Sequence, residues 1–214
     1  ADADLGLGCG LPTEFALIEK GDIVVDLGSG AGNDCFVARA QTGEQGKVIG
    51  IDMTEAMIEK ARINAGKLGY SNVEFRLSDI ETIDLPEHTA DVVVSNCVMN
   101  LVPDKHKAFS ETYRILKPGG HFSISDIVVD GDLPEGLRNA AEMYAGCVAG
   151  AMRQEDYLSV IRNAGFDDVT IQKSKQITVP AEILKNFLSE DEMNVFDNTG
   201  PGIHSITVFA RKPE

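Results

Sequence analysis

Apolar positions along the chain follow two alternating rhythms. Short β-branched runs fall at residues 23–27, 48–52, 73–77, 92–95 and 121–127, and apolar residues recur at helical spacing over 33–41, 54–67 and 105–116. Strands that alternate with helices and are apolar on both faces predict a parallel sheet covered on both sides. Val92-Val93-Val94 shows this most clearly, since it offers no polar face to solvent. Beyond the fifth strand the rhythm changes. Residues 133–152 and 154–164 read as helices, the second ended by Gly165 as a C-cap glycine. Residues 169–172 and 203–210 read as late strands, with a helical insert near 181–188. No repeat or linker interrupts the pattern, which predicts one domain. Within it, 1–22 form an N-terminal loop and helix, 23–130 a ligand-binding core, and 131–214 an insertion followed by the last two strands.

Composition narrows the partners. The 214 residues carry 19 Lys plus Arg against 34 Asp plus Glu, a net charge of −15. That balance disfavours a nucleic-acid backbone or an anionic membrane surface. No apolar run approaches the ~20 residues needed to span a bilayer, and no signal-peptide core is visible. The opening ADADLGLGCG lacks a Met and reads as an excerpt with a segment upstream. A cytoplasmic setting is expected, in which Cys9, Cys35, Cys97 and Cys147 are better suited to burial, catalysis or metal binding than to structural disulfides.

Candidate chemistry gathers at the strand ends. The first strand runs into Asp26-Leu27-Gly28-Ser29-Gly30-Ala31-Gly32 and then a helix, so the backbone can turn tightly and approach a ligand at the carboxyl edge of the sheet. Its G-x-G-x-G spacing differs from the G-x-G-x-x-G of dinucleotide binders. Asp26 places negative charge where a cationic ligand group would sit. The second strand ends at Asp52-Met53, a carboxylate able to hold both ribose hydroxyls beside a soft apolar surface for adenine. Asp79-Ile80, Ser95-Asn96-Cys97 and Leu116-Lys117-Pro118-Gly119-Gly120, this last ahead of strand five, complete a series of strand-end elements.

In that order these segments resemble the class I S-adenosylmethionine-dependent methyltransferases from residue 23 to 127. The resemblance implies a Rossmann-like α/β fold: a seven-stranded, mostly parallel sheet with an antiparallel last strand and helices on both faces. It also implies S-adenosylmethionine as cofactor, lined by Asp26, Gly28, Gly30, Asp52, Met53, Asp79, Ile80 and Asn96.

The cysteines divide by setting. Cys35 lies among apolar neighbours and reads as core, whereas Cys97 suits either packing or the lining of a site. Cys9, in the glycine-flanked stretch 5–12, and Cys147, in Ala145-Gly146-Cys147-Val148-Ala149-Gly150, read as accessible thiols. Together with Gly8-Cys9-Gly10, Asn33-Asp34-Cys35, Ser95 to Leu101 and Ser125-Asp126-Ile127, these positions resemble the arsenite methyltransferases nearly end to end. That resemblance implies Cys9 and Cys147 as catalytic, arsenic-binding thiols, thiol-bound arsenite as acceptor and a thiol reductant as partner. A third cysteine of the family pattern has no counterpart here. Arsenite is soft and prefers thiolates; its lone pair can attack a sulfonium methyl without a general base, so positioning carries the catalysis.

Two other readings fit the same core. One is a methyltransferase for a quinone- or sterol-like acceptor, with Asp126 or Tyr144 as base. The other is a non-catalytic cofactor-binding module. His88, His106, His121 and His204 are scattered without metal-ligand spacing.

Overall fold

The structure, a computed structural model, describes residues 10–131, 135–136, 138–139, 146–148, 150–189 and 202–214. Its seven strands are β1 (Ile23–Leu27), β2 (Lys47–Asp52), β3 (Val73–Leu77), β4 (Ala90–Asn96), β5 (Leu116–Val129), β6 (Asp167–Gln176) and β7 (Ile203–Arg211). They form one sheet in the order β3-β2-β1-β4-β5-β7-β6. The first five pair in parallel, whereas β7 runs antiparallel to both β5 and β6. The expected mostly parallel sheet with an antiparallel last strand is therefore the observed one.

The doubly apolar strands bury alternate residues in two layers. Val24, Val48, Val92 and Val94 pack with Cys35, Ala38, Ile58 and Ala61 of α2 (Asn33–Thr42) and α3 (Glu55–Leu68). Val25, Ile49, Val93 and Phe122 face the opposite way, against Phe109 of α4 (Lys105–Ile115) and Tyr157 of α5 (Gln154–Asn163). A smaller third cluster joins Ile127, Val129 and Ile203 to Val148, Ala151 and Leu184, the last from the short α6 (Ala181–Leu184).

Two sequence expectations need correction. Strand five starts at Leu116, so the Leu116 to Gly120 stretch belongs to it and does not precede it. The reason lies in a distant partner: the Gly119 N–H donates to the Lys212 carbonyl at 3.0 Å, and the Lys212 N–H donates to Gly120 at 2.8 Å. The helix expected over 133–152 does not persist to its end. Residues Gly146–Val148 form a 3-10 turn, and 151–152 are not helical.

The chain winds from β1 outward to β3, then returns to β4 on the other side of β1. The carboxyl ends of β1 and β4 therefore border the crevice where open α/β sheets bind ligands.

Candidate active site

The loop after β1 is shaped by its backbone. Gly28 has φ +74°, and a Cβ there would overlap the Val98 side chain. Gly30 has φ +51° and open space around its Cα, so the approach to this loop is clear. The N–H groups of Gly28 and Ser29 both donate to the Ile51 carbonyl, at 2.8 and 2.9 Å. This ties the loop to the end of β2. Asp52 adds to the tie: its carboxylate accepts from the Gly30 N–H at 2.9 Å and from the Thr54 N–H at 2.8 Å. Two N–H groups thus hold the carboxylate in place before any ligand arrives, while lone pairs remain for ribose hydroxyls.

Beside Asp52, Met53 is 78% exposed and Leu77, at the tip of β3, is 53% exposed. Bare apolar side chains at adjacent strand tips suit a flat aromatic base. Asp79 is exposed, and its carboxylate accepts the Glu81 N–H at 2.8 Å. The Ile80 side chain is instead buried in the main core, so it supports the Asp79 turn from beneath.

Asp26 is buried, and the Cys35 thiol donates to it at 3.2 Å. Burial, reinforced by the nearby charge of Asp34, pushes its carboxyl up to about 7. Asp34 is itself pushed up by burial, and it accepts the Asn96 amide N–H at 3.2 Å. That amide also donates to the Gly10 carbonyl at 3.1 Å. The Asn96 Oδ1 is buried and has no partner among the described residues. Asp34 was not singled out in the sequence because a first-turn acid reads as ordinary helix capping. Only its bond to Asn96, 62 residues away, brings it into the site.

This arrangement fits S-adenosylmethionine. A cationic end would meet two neighbouring carboxyls that have no counter-charge among the described residues. The sugar would meet the pre-set Asp52, and the orphaned Asn96 oxygen offers an acceptor.

The β4 tip leads toward a second region. Cys97 is left-handed, with φ +60°, an uncommon and strained state for a residue with a side chain. Its N–H donates to Ser125 at 2.8 Å, and its carbonyl accepts the Cys147 thiol at 3.7 Å. Cys97 is disulfide-bonded, whereas the sequence favoured burial, catalysis or metal binding over a structural disulfide for these cysteines. Cys147 is a free, half-buried thiol, pushed up first by burial and then by the charge of Asp126. Cys35, also free, is buried core as expected, although it touches Asp26 as well. Cys9 and Tyr144 lie outside the described residues. Among the described residues no cluster of His, Cys, Asp and Glu could hold a metal ion.

Sheet order, glycine loop and strand-tip carboxylates together give a Rossmann-like fold of the methyltransferase type. A family model described as a methyltransferase domain matches residues 18–165, and the chain belongs to the S-adenosylmethionine-dependent methyltransferase family. The chain is 43% identical over 211 residues to an arsenite methyltransferase of Halobacterium salinarum, covering 99% of this chain and 52% of that protein. It is 35% identical to an arsenite methyltransferase of Homo sapiens, covering 86% of this chain and 51% of that one. The chain thus spans about half the length of the curated relatives it matches. Among solved structures, an arsenic(III) S-adenosylmethionine methyltransferase from Chlamydomonas reinhardtii superposes with a TM-score of 0.79 at 35% identity, over 99% of this chain and 71% of that one.

Proposed function

We propose that this chain takes part in methyl transfer from S-adenosylmethionine to trivalent arsenic held by cysteine thiolates. The observation that carries the reading is Cys147, a free thiol bonded to the carbonyl of Cys97 at the β4 tip, beside the cofactor cleft. The names of the relatives support the acceptor.

Asp52, Asn96, Asp26 and Asp34 would bind and orient the cofactor, which supplies an electrophilic methyl group when bound. Asp52 holds the sugar, and Asp26 with Asp34 balances the cationic end. In the reduced protein Cys147, with Cys9 as its proposed partner, fixes the acceptor, and a small-molecule thiol delivers arsenite and serves as reductant. At neutral pH the raised Cys147 is a thiol. Its proton leaves as water with one hydroxyl of arsenite when the sulfur–arsenic bond forms, so no permanent base is required. Asp126, considered as a base for a carbon or oxygen acceptor, has no exposed surface, and that disfavours the quinone-like reading. No described helix is long and apolar enough to cross a membrane; a cytoplasmic location remains part of this proposal.

Cys147→Ser and Cys9→Ser test the reading through two separate binding measurements. Each should cut arsenite retention by the protein tenfold or more while leaving cofactor affinity within twofold. Unchanged retention in both variants would remove arsenic from the account and leave a methyltransferase of another acceptor.

A further inference from the structure

The carboxyl end of β5 holds a buried acid that the reading above does not use. Asp126 accepts the Ile127 N–H at 3.0 Å and the Tyr157 hydroxyl at 3.3 Å, and the backbone N–H of Asn100 adds a third contact. These donors come from β5, from α5 and from the short 3-10 turn Met99–Leu101 that follows β4. The same turn is fixed to β5 once more, and so is Cys97 just before it. The Asn100 side-chain amide donates to the Ile127 carbonyl at 2.6 Å, and the Cys97 N–H reaches Ser125. Asn100 itself is only 4% exposed.

The turn carrying Cys147 rests on this platform. Gly150 lies so close to the Asn100 carbonyl that a Cβ would overlap it. Three residues earlier, the Cys147 sulfur reaches the Cys97 carbonyl, and Val148 between them is buried with Ile127 and Val129. A shift of the Asn100 turn would therefore carry Cys147 with it.

We propose that Asp126 is a positioning residue for the acceptor thiol: its carboxylate locks the turn after β4 to β5 and α5, seats Cys147, and sets the charge that thiol meets. The inference rests on the reading of Cys147 as an acceptor-binding thiol. The titratable groups facing Asp126 are Lys105 from α4, Tyr157 from α5 and Cys147 from its turn. Burial pushes Asp126 up to about 7, pushes Lys105 down, and raises both Tyr157 and Cys147, whose rise the carboxylate adds to. Above neutral pH the ionised carboxylate opposes a bare thiolate at Cys147. The sulfur therefore keeps its proton until the soft acceptor replaces it.

Two variants and two readouts test this in the full chain. The first readout is the pH profile of iodoacetamide labelling at Cys147, followed on its peptide by mass spectrometry. The second is retention of arsenite at equilibrium. A change in accessibility multiplies the labelling rate equally at every pH, whereas loss of a nearby charge moves the midpoint. Asp126→Asn keeps the shape and removes the charge; it should lower the labelling midpoint by about one pH unit and reduce arsenite retention about tenfold. Tyr157→Phe keeps the charge and removes one donor, so it should leave the midpoint in place and reduce retention about threefold. Cofactor affinity within twofold of the parent in both shows that the core remains folded. An unmoved midpoint with retention within twofold in Asp126→Asn would overturn the inference. If the parent retains no arsenite while the midpoint shift persists, the arsenite reading falls and the hold of Asp126 on Cys147 is supported.

Discussion

At the scale of single residues, the cleft proposed for the cofactor holds two acids that behave differently. Asp52 is held by two backbone N–H groups, so its orientation precedes binding. Asp52→Ala should weaken cofactor binding by about 1.5–3 kcal/mol, the cost of a lost charged acceptor, as read by calorimetric titration. Unchanged affinity would remove Asp52 from the site. Asp26 is buried with its carboxyl pushed up to about 7, from an ordinary value of 3.8. In its proposed role beside the cationic end it must ionise, so below pH 7 cofactor binding has to expel a proton. Affinity should then fall with decreasing pH, by at most tenfold per unit, and Asp26→Asn should flatten that profile. The stability sign is the reverse of the usual carboxylate case. The folded state holds the proton more tightly than the unfolded chain, so free protein loses stability as pH rises from about 4 to 7, by at most about 1.4 kcal/mol per unit for this group. Denaturation of Asp26→Asn across that range should show a shallower slope; an identical slope would contradict the assignment.

At the scale of elements, the decisive contacts join segments that are remote in sequence. Gly150 lets the Cys147 turn lie on Asn100. Gly150→Ala should cost on the order of 1–3 kcal/mol through overpacking and weaken arsenite retention while cofactor affinity holds. Equal retention in that variant would detach the turn from the acceptor site. The same contacts mark where sequence reading reached its limit. β1 and β3 were legible to the residue because β-branched runs are bounded by sharp polar or glycine breaks. Leu116 to Gly120 looks like a turn, yet the chain at and just past the end of β7 supplies partners: Lys212 bonds the backbone of Gly119 and Gly120, and the Arg211 side chain donates to the Gly119 carbonyl across 92 residues, contacts that no local pattern encodes. The stretch 133–152 has helical periodicity, but Gly150 serves close approach near its end. The strained backbone of Cys97 is equally silent in the sequence, since nothing local to Asn96-Cys97-Val98 requires a positive φ.

At the scale of the molecule, the residues proposed for the cofactor cleft could be named from the sequence because they lie at or just after strand ends. Asp26, Gly28, Gly30, Asp52, Met53 and Asn96 all face one edge of the sheet. The proposed acceptor region joins the β4 tip, β5 and the 3-10 turn at Cys147, so its thiol was named from chemistry and resemblance while the supporting role proposed for Asp126 required coordinates. The net charge of −15 surrounds a cleft that itself holds buried acids, consistent with a cationic cofactor and a neutral acceptor such as arsenite.

The central claim is that the Cys147 thiol, held against the β4 tip, presents trivalent arsenic to the cofactor's methyl group. The most direct measurement is transfer of isotopically labelled methyl from S-adenosylmethionine to arsenite, with a small-molecule thiol present, by the protein and by Cys147→Ser. The account predicts labelled methylarsenic product from the parent and at least a tenfold loss in the serine variant, with cofactor affinity equal in both. Equal product from the two proteins, or bound cofactor with no labelled arsenic from the parent, would contradict it.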